Sequence, residues 1–165
     1  MYQLEVKRWL VTHRFHPRDG WQVHVDIDAM ERAKGGQHKS DKAEIAAEAE
    51  AELRAIGAVI GAHPVYGRAD VVATHPAFGT FVIEVEGDST RQKEQAVYSA
   101  LGQLVLQADG KPHQLMLAIP DEPAWEGQIQ KIPPYVRKLL QLSCVLVSED
   151  AVREDNLQLS QGPEA

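Results

Sequence analysis

The stretch Tyr66–Leu104 reads YGRADVVATHPAFGTFVIEVEGDSTRQKEQAVYSALGQL, and the fold that we expect depends on it. A short apolar run that carries one acid, Asp70, is followed by a turn-rich segment and by a second apolar run that ends in Glu84 and Glu86. Gly87 then interrupts the strand pattern, and a long helical pattern follows residues 88–90, whose types favour helix N-caps. The stretch therefore predicts two strands followed by a helix.

Three acidic residues stand on these two otherwise apolar strands. Side chains alternate between the faces of a strand, so Glu84 and Glu86 point the same way. If the Asp70 strand pairs beside them, three carboxylates converge at one rim of the sheet. Converging carboxylates repel each other unless a cation lies between them, and oxygen ligands alone favour Mg²⁺ or Mn²⁺. The alternative is that these acids are solvated strand ends.

This layout resembles the PD-(D/E)xK superfamily, the restriction-endonuclease-like nucleases. Arg68-Ala69-Asp70 stands where that family usually has Pro-Asp, and Glu84-Val85-Glu86 stands where it has (Asp/Glu)-x-Lys. The segment ALGQL, residues 100–104, is similar to the glutamine-bearing helix of many members. The resemblance covers roughly residues 44–147. In one departure from the pattern, Glu86 occupies the position of the usual lysine.

The resemblance implies an α/β fold, with a restriction endonuclease-like core in which helices flank a central mixed β-sheet. It implies that Asp70 and Glu84 bind Mg²⁺ or Mn²⁺, and that Glu48 joins them from the first core helix. Gln103 would face the metal rim, and Glu86 would be a further ligand or would accept the proton of the attacking water. The alternatives are that Glu48 lies on an exposed helix face and that Gln103 is an ordinary surface glutamine.

The missing lysine needs a replacement, because a phosphoryl-transfer site benefits from a cation beside the developing negative charge. Lys93 begins the inward stripe of the helix that follows, and helix side chains lean toward the N-terminus. We therefore expect Lys93 to reach back to the Glu84 strand end, with Arg91 and then Arg68 as the next candidates. The alternative is that Lys93 is a solvated first-turn residue and that the protein is catalytically inactive.

The composition limits the number of domains and the classes of function that the sequence can have. A chain of 165 residues fits one domain, and its single cysteine, Cys144, excludes an internal disulfide. No apolar run approaches membrane-spanning length and no signal-peptide pattern is present, so we expect a cytoplasmic protein without membrane contacts. The formal net charge of −7 argues against a general nucleic-acid coat.

Positive charge is concentrated near the N-terminus. Residues 1–42 hold eight Lys/Arg against six Asp/Glu, whereas the remainder holds nine against eighteen. Apolar alternation on both sides of the turn at residues 16–20 predicts an N-terminal β-hairpin. Its basic side chains would contact the phosphate backbone of a nucleic acid, unless they form only a solvated face. These side chains are Lys7, Arg8, Arg14 and Arg18.

The rest of the chain completes an α/β order. We expect a helix over about residues 41–56, strands over 58–62, 114–119 and 145–147, and a helix over 123–142 that two prolines interrupt. The predicted organisation is one domain in three parts. These parts are a hairpin extension over 1–38, a nuclease-like core over 39–150 and a loose tail over 151–165.

These observations lead to a divalent-metal-dependent nuclease that hydrolyses DNA phosphodiester bonds, in a defence, repair or mobile-element context. The residues assigned to catalysis are Asp70, Glu84, Glu86, Lys93 and Gln103. A homodimer would suit the cutting of both strands. One alternative is an inactive member of the same fold that binds nucleic acid or protein, and another is a small acidic interaction protein.

Overall fold

The computed structural model describes residues 1–33 and 40–155 of the chain. Within these ranges the strands are β1 (Gln22–Val25), β2 (Val59–Ile60), β3 (Val71–His75), β4 (Gly79–Val85), β5 (His113–Pro120), β6 (Leu142–Val147) and β7 (Val152–Glu154). The α-helices are α1 (Gln3–Arg14), α2 (Lys42–Ala55), α3 (Lys93–Gln107), α4 (Pro123–Ile129) and α5 (Pro134–Leu140). A short 3₁₀ turn, Pro17–Asp19, lies between α1 and β1.

The strands form one mixed sheet in the order β2-β1-β3-β4-β5-β6-β7. Strand β1 is parallel to β2, and β4, β5 and β6 are mutually parallel. The pairs β1–β3, β3–β4 and β6–β7 are antiparallel. The general prediction of an α/β fold with a central mixed sheet and flanking helices is therefore confirmed.

Helices cover both faces of the sheet. Helices α1 and α2 pack with one set of strand side chains, which includes Phe81 and Ile83, and α3 and α4 pack with the other, which includes Val82 and Leu117. A strand that is buried on both faces is apolar at nearly every position, as β5 is from Leu115 onward. A charged residue on such a strand must therefore lie at its end or have a partner.

The prediction of an N-terminal hairpin is wrong. Residues 3–14 form helix α1, which begins where the Glu5 side chain accepts a hydrogen bond from the Tyr2 backbone N–H. Some of the apolar residues of this segment alternate as in a strand, but all four fit one broad helical face, and the helix buries them in one layer over the sheet. These residues are Leu4, Val6, Leu10 and Val11.

Strand β1 likewise belongs to the core and not to an extension. It pairs with β2 on one side and with β3 on the other, inside the sheet. Residues 1–33 therefore contribute one helix of the first layer and one interior strand. The predicted boundary between residues 38 and 39 lies outside the described residues.

The C-terminal segment is ordered further than we expected. Strand β7 pairs with β6, and the buried Arg137 guanidinium binds the Asp155 carboxylate at 2.9 Å. Residues 151–155 are therefore part of the fold, contrary to the predicted loose tail, whose remaining residues, 156–165, lie outside the described ranges. The predicted break at Pro133-Pro134 is confirmed, because it separates α4 from α5.

Across residues 1–33 and 40–155, none of the helices combines the length and the apolar character that crossing a membrane requires.

Candidate active site

The site is built where β3 begins and β4 ends. Asp70 directly precedes β3, and the antiparallel register pairs Val71 with Ile83, which brings Asp70 opposite Glu84. By strand alternation, both acids lie on the same face of the sheet as Val82, which is the face that α3 covers. Asp70 Oδ2 accepts a hydrogen bond from the Val85 backbone N–H at 2.9 Å. The prediction that these carboxylates meet on one face is confirmed.

Glu84 is buried beside Asp70. The Glu84 residue is only 5% exposed. Burial, the nearby charge of Asp70 and a hydrogen bond with the Asp70 carboxyl raise the pKa of Glu84 to about 10. The raised pKa favours the protonated form of Glu84 at neutral pH.

Glu86 is the third acid at this rim. Its burial, followed by the negative charge of Asp70, raises its pKa to about 7, against the opposing effects of Arg91 and Lys7. Glu86 lies close enough to Asp70 for the two charges to interact. A carboxyl group with a pKa near neutrality can exchange a proton with water under physiological conditions.

The cation at the site is Lys7, which comes from α1. Its side chain is 0% exposed, and its ammonium donates to the Asp26 carbonyl at 2.6 Å. The same ammonium lies 2.6 Å from Glu31 Oε1 and 3.6 Å from Asp70 Oδ1. Burial lowers the pKa of Lys7, but the attractions of Asp70 and Glu31 outweigh it and leave the pKa above its usual value. Lys7 therefore stays charged.

The segment after β1 carries the partner of this lysine. The Asp26 N–H donates to the Asp70 carbonyl at 2.9 Å, which joins this segment to the start of β3. Asp28 and Glu31 then exchange reciprocal hydrogen bonds between backbone N–H groups and carboxylates. Burial raises the pKa of Glu31, although Lys7 opposes this effect. The described residues therefore place two carboxylates, Glu31 and Asp70, within 4 Å of one buried ammonium.

Gln107 completes the site from the end of α3. Its side-chain Nε2 donates to Glu84 Oε1 at 3.3 Å, and this donor favours the ionised form of Glu84. Gln103, the predicted glutamine, lies one turn earlier and lines a cleft beside the site, together with Gln107. Thus the predicted helix supplies the glutamine, but Gln107 makes the contact with the acids.

None of the three cations that we expected to replace the missing lysine forms an ion pair with Asp70, Glu84 or Glu86 in the described part of the chain. The Lys93 ammonium is 3.7 Å from Asp88 and 5.4 Å from the Trp125 ring centroid. Arg91 acts on Glu86 through its charge. Arg68 is exposed and lines the cleft. Helix α3 begins at Lys93, five residues after the first predicted cap, Asp88.

The other predicted residues are dispersed. Glu48 is 68% exposed and pairs with Arg8 at 3.6 Å, in the α1–α2 layer. Arg14 lies over the rings of Phe15, Trp21 and Phe81, and Arg18 is exposed in the 3₁₀ turn. Lys7 is buried, so the prediction that it contacts a phosphate backbone is wrong for this structure. A helix in place of a hairpin removes the alternating basic face.

Sequence signals for Lys7 and Gln107 did exist. On a helical period, Lys7 follows Leu4 by three residues and precedes Val11 by four, so it occupies a core position. Gln107 similarly extends the inward stripe of Ala100 and Leu104 by one turn. A polar side chain at a core position of an amphipathic helix must find a buried partner. Both residues could have been identified by that rule, whereas Glu31 lies outside any periodic segment.

Comparison with known proteins adds no identification: no family model, curated protein or solved structure matches this chain.

Proposed function

We propose that this protein is a divalent-metal-dependent nuclease that hydrolyses DNA phosphodiester bonds on a restriction endonuclease-like core. The observation that carries the proposal is the meeting of Asp70 and Glu84 on adjacent antiparallel strands, with the buried ammonium of Lys7 beside Asp70. The order α2-β2-β3-β4-α3-β5 also follows the helix, three strands, helix and strand expected from the sequence, although β1 lies between β2 and β3 in the sheet.

The donor set fits a hard divalent cation. Glu84 and Asp70 lie close enough to repel each other when both are ionised, and burial together with Asp70 raises the pKa of Glu84, so a cation bound between the two carboxylates would relieve that repulsion. Within the described residues, no group of three or more His, Cys, Asp and Glu side chains is arranged as a complete metal-binding cluster. Asp70 and Glu84 are the residues that would hold Mg²⁺ or Mn²⁺. When bound, such an ion polarises phosphoryl oxygens and lowers the pKa of water.

The surrounding residues orient these two carboxylates. The Val85 N–H and the Lys7 ammonium hold different oxygens of Asp70, and Gln107 holds one oxygen of Glu84. Lys7 is fully buried, so its role is to position Asp70 rather than to touch the substrate. Glu86, on the same face, would accept a proton from the attacking water.

A second candidate function is an inactive member of this fold that binds nucleic acid without cutting it. The observation that favours it is the pairing of Lys7 with Glu31, which sequesters the cation at the site from solvent. Under this alternative the acids maintain the local structure, and the protein acts through its surface.

Cleavage assays with matched variants test the proposal. Wild-type protein, Asp70→Asn and Glu48→Gln are incubated with single-stranded and duplex DNA in Mg²⁺, in Mn²⁺ and in EDTA. Asn retains the acceptor for the Val85 N–H, so Asp70→Asn removes mainly the charge, whereas Glu48→Gln removes an exposed charge in the other layer. We expect cleavage that requires the metal, falls about a hundredfold or more in Asp70→Asn and persists in Glu48→Gln.

Two other outcomes would change the conclusion. Equal cleavage by wild type and Asp70→Asn would assign the activity to a contaminant or to another site. DNA binding without any metal-dependent cleavage would favour the inactive binding module.

A further inference from the structure

A polar cleft opens beside the acid cluster on the α3 side of the sheet. It has a volume of about 330 Å³ and lies between the loop at residues 65–68 and the last turn of α3 with the turn that follows. One wall carries Tyr66 and Arg68, and the other carries Gln103, Gln107 and Lys111. This cleft is distinct from the acids, because neither Asp70 nor Glu84 forms its wall.

Hydrogen bonds hold the two walls together. His113 Nε2 lies 2.7 Å from the Gln107 carbonyl, which only accepts hydrogen bonds, so this nitrogen donates. The Tyr66 hydroxyl lies 3.3 Å from His113 Nδ1, within hydrogen-bond distance. The Tyr66 ring also packs against the His63 and His113 rings, with centroids at 5.6 Å and 4.8 Å. The cleft is therefore preformed.

The charge of the cleft is opposite to that of the whole chain. Its charged lining residues are Arg68, Lys111 and Asp109, whereas the chain has a formal net charge of −7. Asp109 already has a partner in its own turn, because its carboxylate accepts a hydrogen bond from the Lys111 backbone N–H and lies 3.7 Å from the Lys111 ammonium. The cleft thus offers a net positive charge on its exposed rim, which suits a phosphate group.

Two residues connect the cleft to the acid cluster. Gln107 lines the cleft and donates to Glu84. Arg68 lines the cleft and stands two residues before Asp70 in the chain. A nucleic-acid strand held in the cleft would therefore lie next to the carboxylates.

We propose that this cleft binds one unpaired nucleotide of a single strand. Its volume is at the lower end for small-ligand sites, which leaves room for one nucleotide unit but not for a stacked base pair. Arg68 and Lys111 would hold the phosphate, and the exposed amide of Gln103 would bind a base edge. The inference rests on the proposed nuclease function and names its substrate: a single strand, or an unpaired end of a duplex.

Binding measurements without cleavage test this inference independently of the proposed activity. Fluorescence anisotropy with a labelled hexathymidylate and with a blunt duplex of equal length is measured in EDTA and over a range of salt concentrations. The variants are Arg68→Ala and Lys111→Ala. The control is Arg54→Ala, which removes one exposed positive charge from α2 in the opposite layer. Thermal unfolding checks that each variant is folded.

We expect wild type to prefer the single strand, and each cleft variant to bind it about fivefold or more weakly with a smaller salt slope. The control should bind as wild type does. Loss of binding in the cleft variants would support the cleft even if the wild type cleaves no DNA. Three outcomes would overturn the inference: equal single-strand affinity in all variants, no single-strand binding by wild type, or a preference for the duplex. None of them would decide the nuclease proposal, which has its own assay.

Discussion

The Lys7 ammonium lies 3.6 Å from Asp70 Oδ1 and 2.6 Å from Glu31 Oε1, so a helix from the start of the chain provides the positive charge at the end of the sheet. Removing one member of a buried ion pair leaves an uncompensated charge, which is costly, whereas replacing both members with apolar residues need not be. Removing Lys7 alone should therefore cost more stability than removing an exposed lysine.

We therefore expect Lys7→Met to lower the free energy of unfolding by about 3 kcal/mol, because it leaves the buried Glu31 carboxylate without its cation. The double variant Lys7→Met/Glu31→Leu should recover a large part of this loss. Lys93→Met, which removes the partly exposed cation near Asp88, should cost about 1 kcal/mol or less. Urea denaturation measures all three variants, and equal losses for Lys7→Met and Lys93→Met would contradict the burial of Lys7.

Glu84 should make stability depend on pH in the absence of metal. Its folded-state pKa of about 10 lies above the unfolded value of about 4.3, so the folded state holds the proton more tightly. The stabilisation is complete below the unfolded pKa and is lost as the pH rises toward the folded pKa. Glu84→Gln imitates the protonated form and removes this dependence.

In EDTA, the free energy of unfolding of wild type relative to Glu84→Gln should fall between pH 5 and pH 9, by up to about 1.4 kcal/mol per pH unit. Glu86→Gln provides the control. Because Glu86 has a folded pKa of about 7, its contribution to the slope should end near neutrality. A constant difference between wild type and Glu84→Gln across this range would show that Glu84 is ionised in the folded protein.

The two glutamines of α3 should differ in their energetic importance. Gln107→Leu removes the side-chain donor to Glu84, and we expect a loss of about 1 kcal/mol in the free energy of unfolding. Gln103→Leu, one helical turn away, should change stability by about 0.5 kcal/mol or less. Urea denaturation of both variants at neutral pH makes the comparison. A larger loss of stability for Gln103→Leu would indicate that Gln103, the glutamine predicted from the sequence, is the one that supports the site.

Gly87 should tolerate no side chain, because the chain packs there against the start of α1. A Cβ at this position would lie 2.6 Å from the Tyr2 carbonyl carbon and 2.7 Å from the Gln3 Cα, both of which are backbone atoms. We expect Gly87→Ala to lower the unfolding free energy by about 1–3 kcal/mol. Thermal unfolding measures the effect.

Gly102→Ala is the matched control for this substitution. An added Cβ at Gly102 would have no neighbour within 4 Å, and the residue lies inside α3. Alanine is a better helix former than glycine, so this variant should be more stable by about 0.5–1 kcal/mol. Stabilisation by both substitutions would mean that α1 does not dock against Gly87.

The predicted elements around the site were recovered where the local pattern was unambiguous. The segments of β3, β4 and α3 combine apolar runs of strand length, turn residues and a helical stripe, and these features act within a few residues of each other. The same reasoning failed for residues 3–14, since Leu4 and Val6 alternate as in a strand, although Leu4 and Val11 have helical spacing. Packing over the sheet decided between them, because the helix buries these residues together with Leu10.

The sequence by itself determined that Asp70 and Glu84 would share a face, because alternation along two strands joined by a short turn leaves little freedom. Only the tertiary structure decided which cation and which amide reach these acids. Lys7, Glu31 and Gln107 come from segments distant in sequence, and their positions depend on how α1, the segment after β1 and the end of α3 dock on the sheet. That docking is driven by non-directional apolar burial, which no local pattern encodes residue by residue.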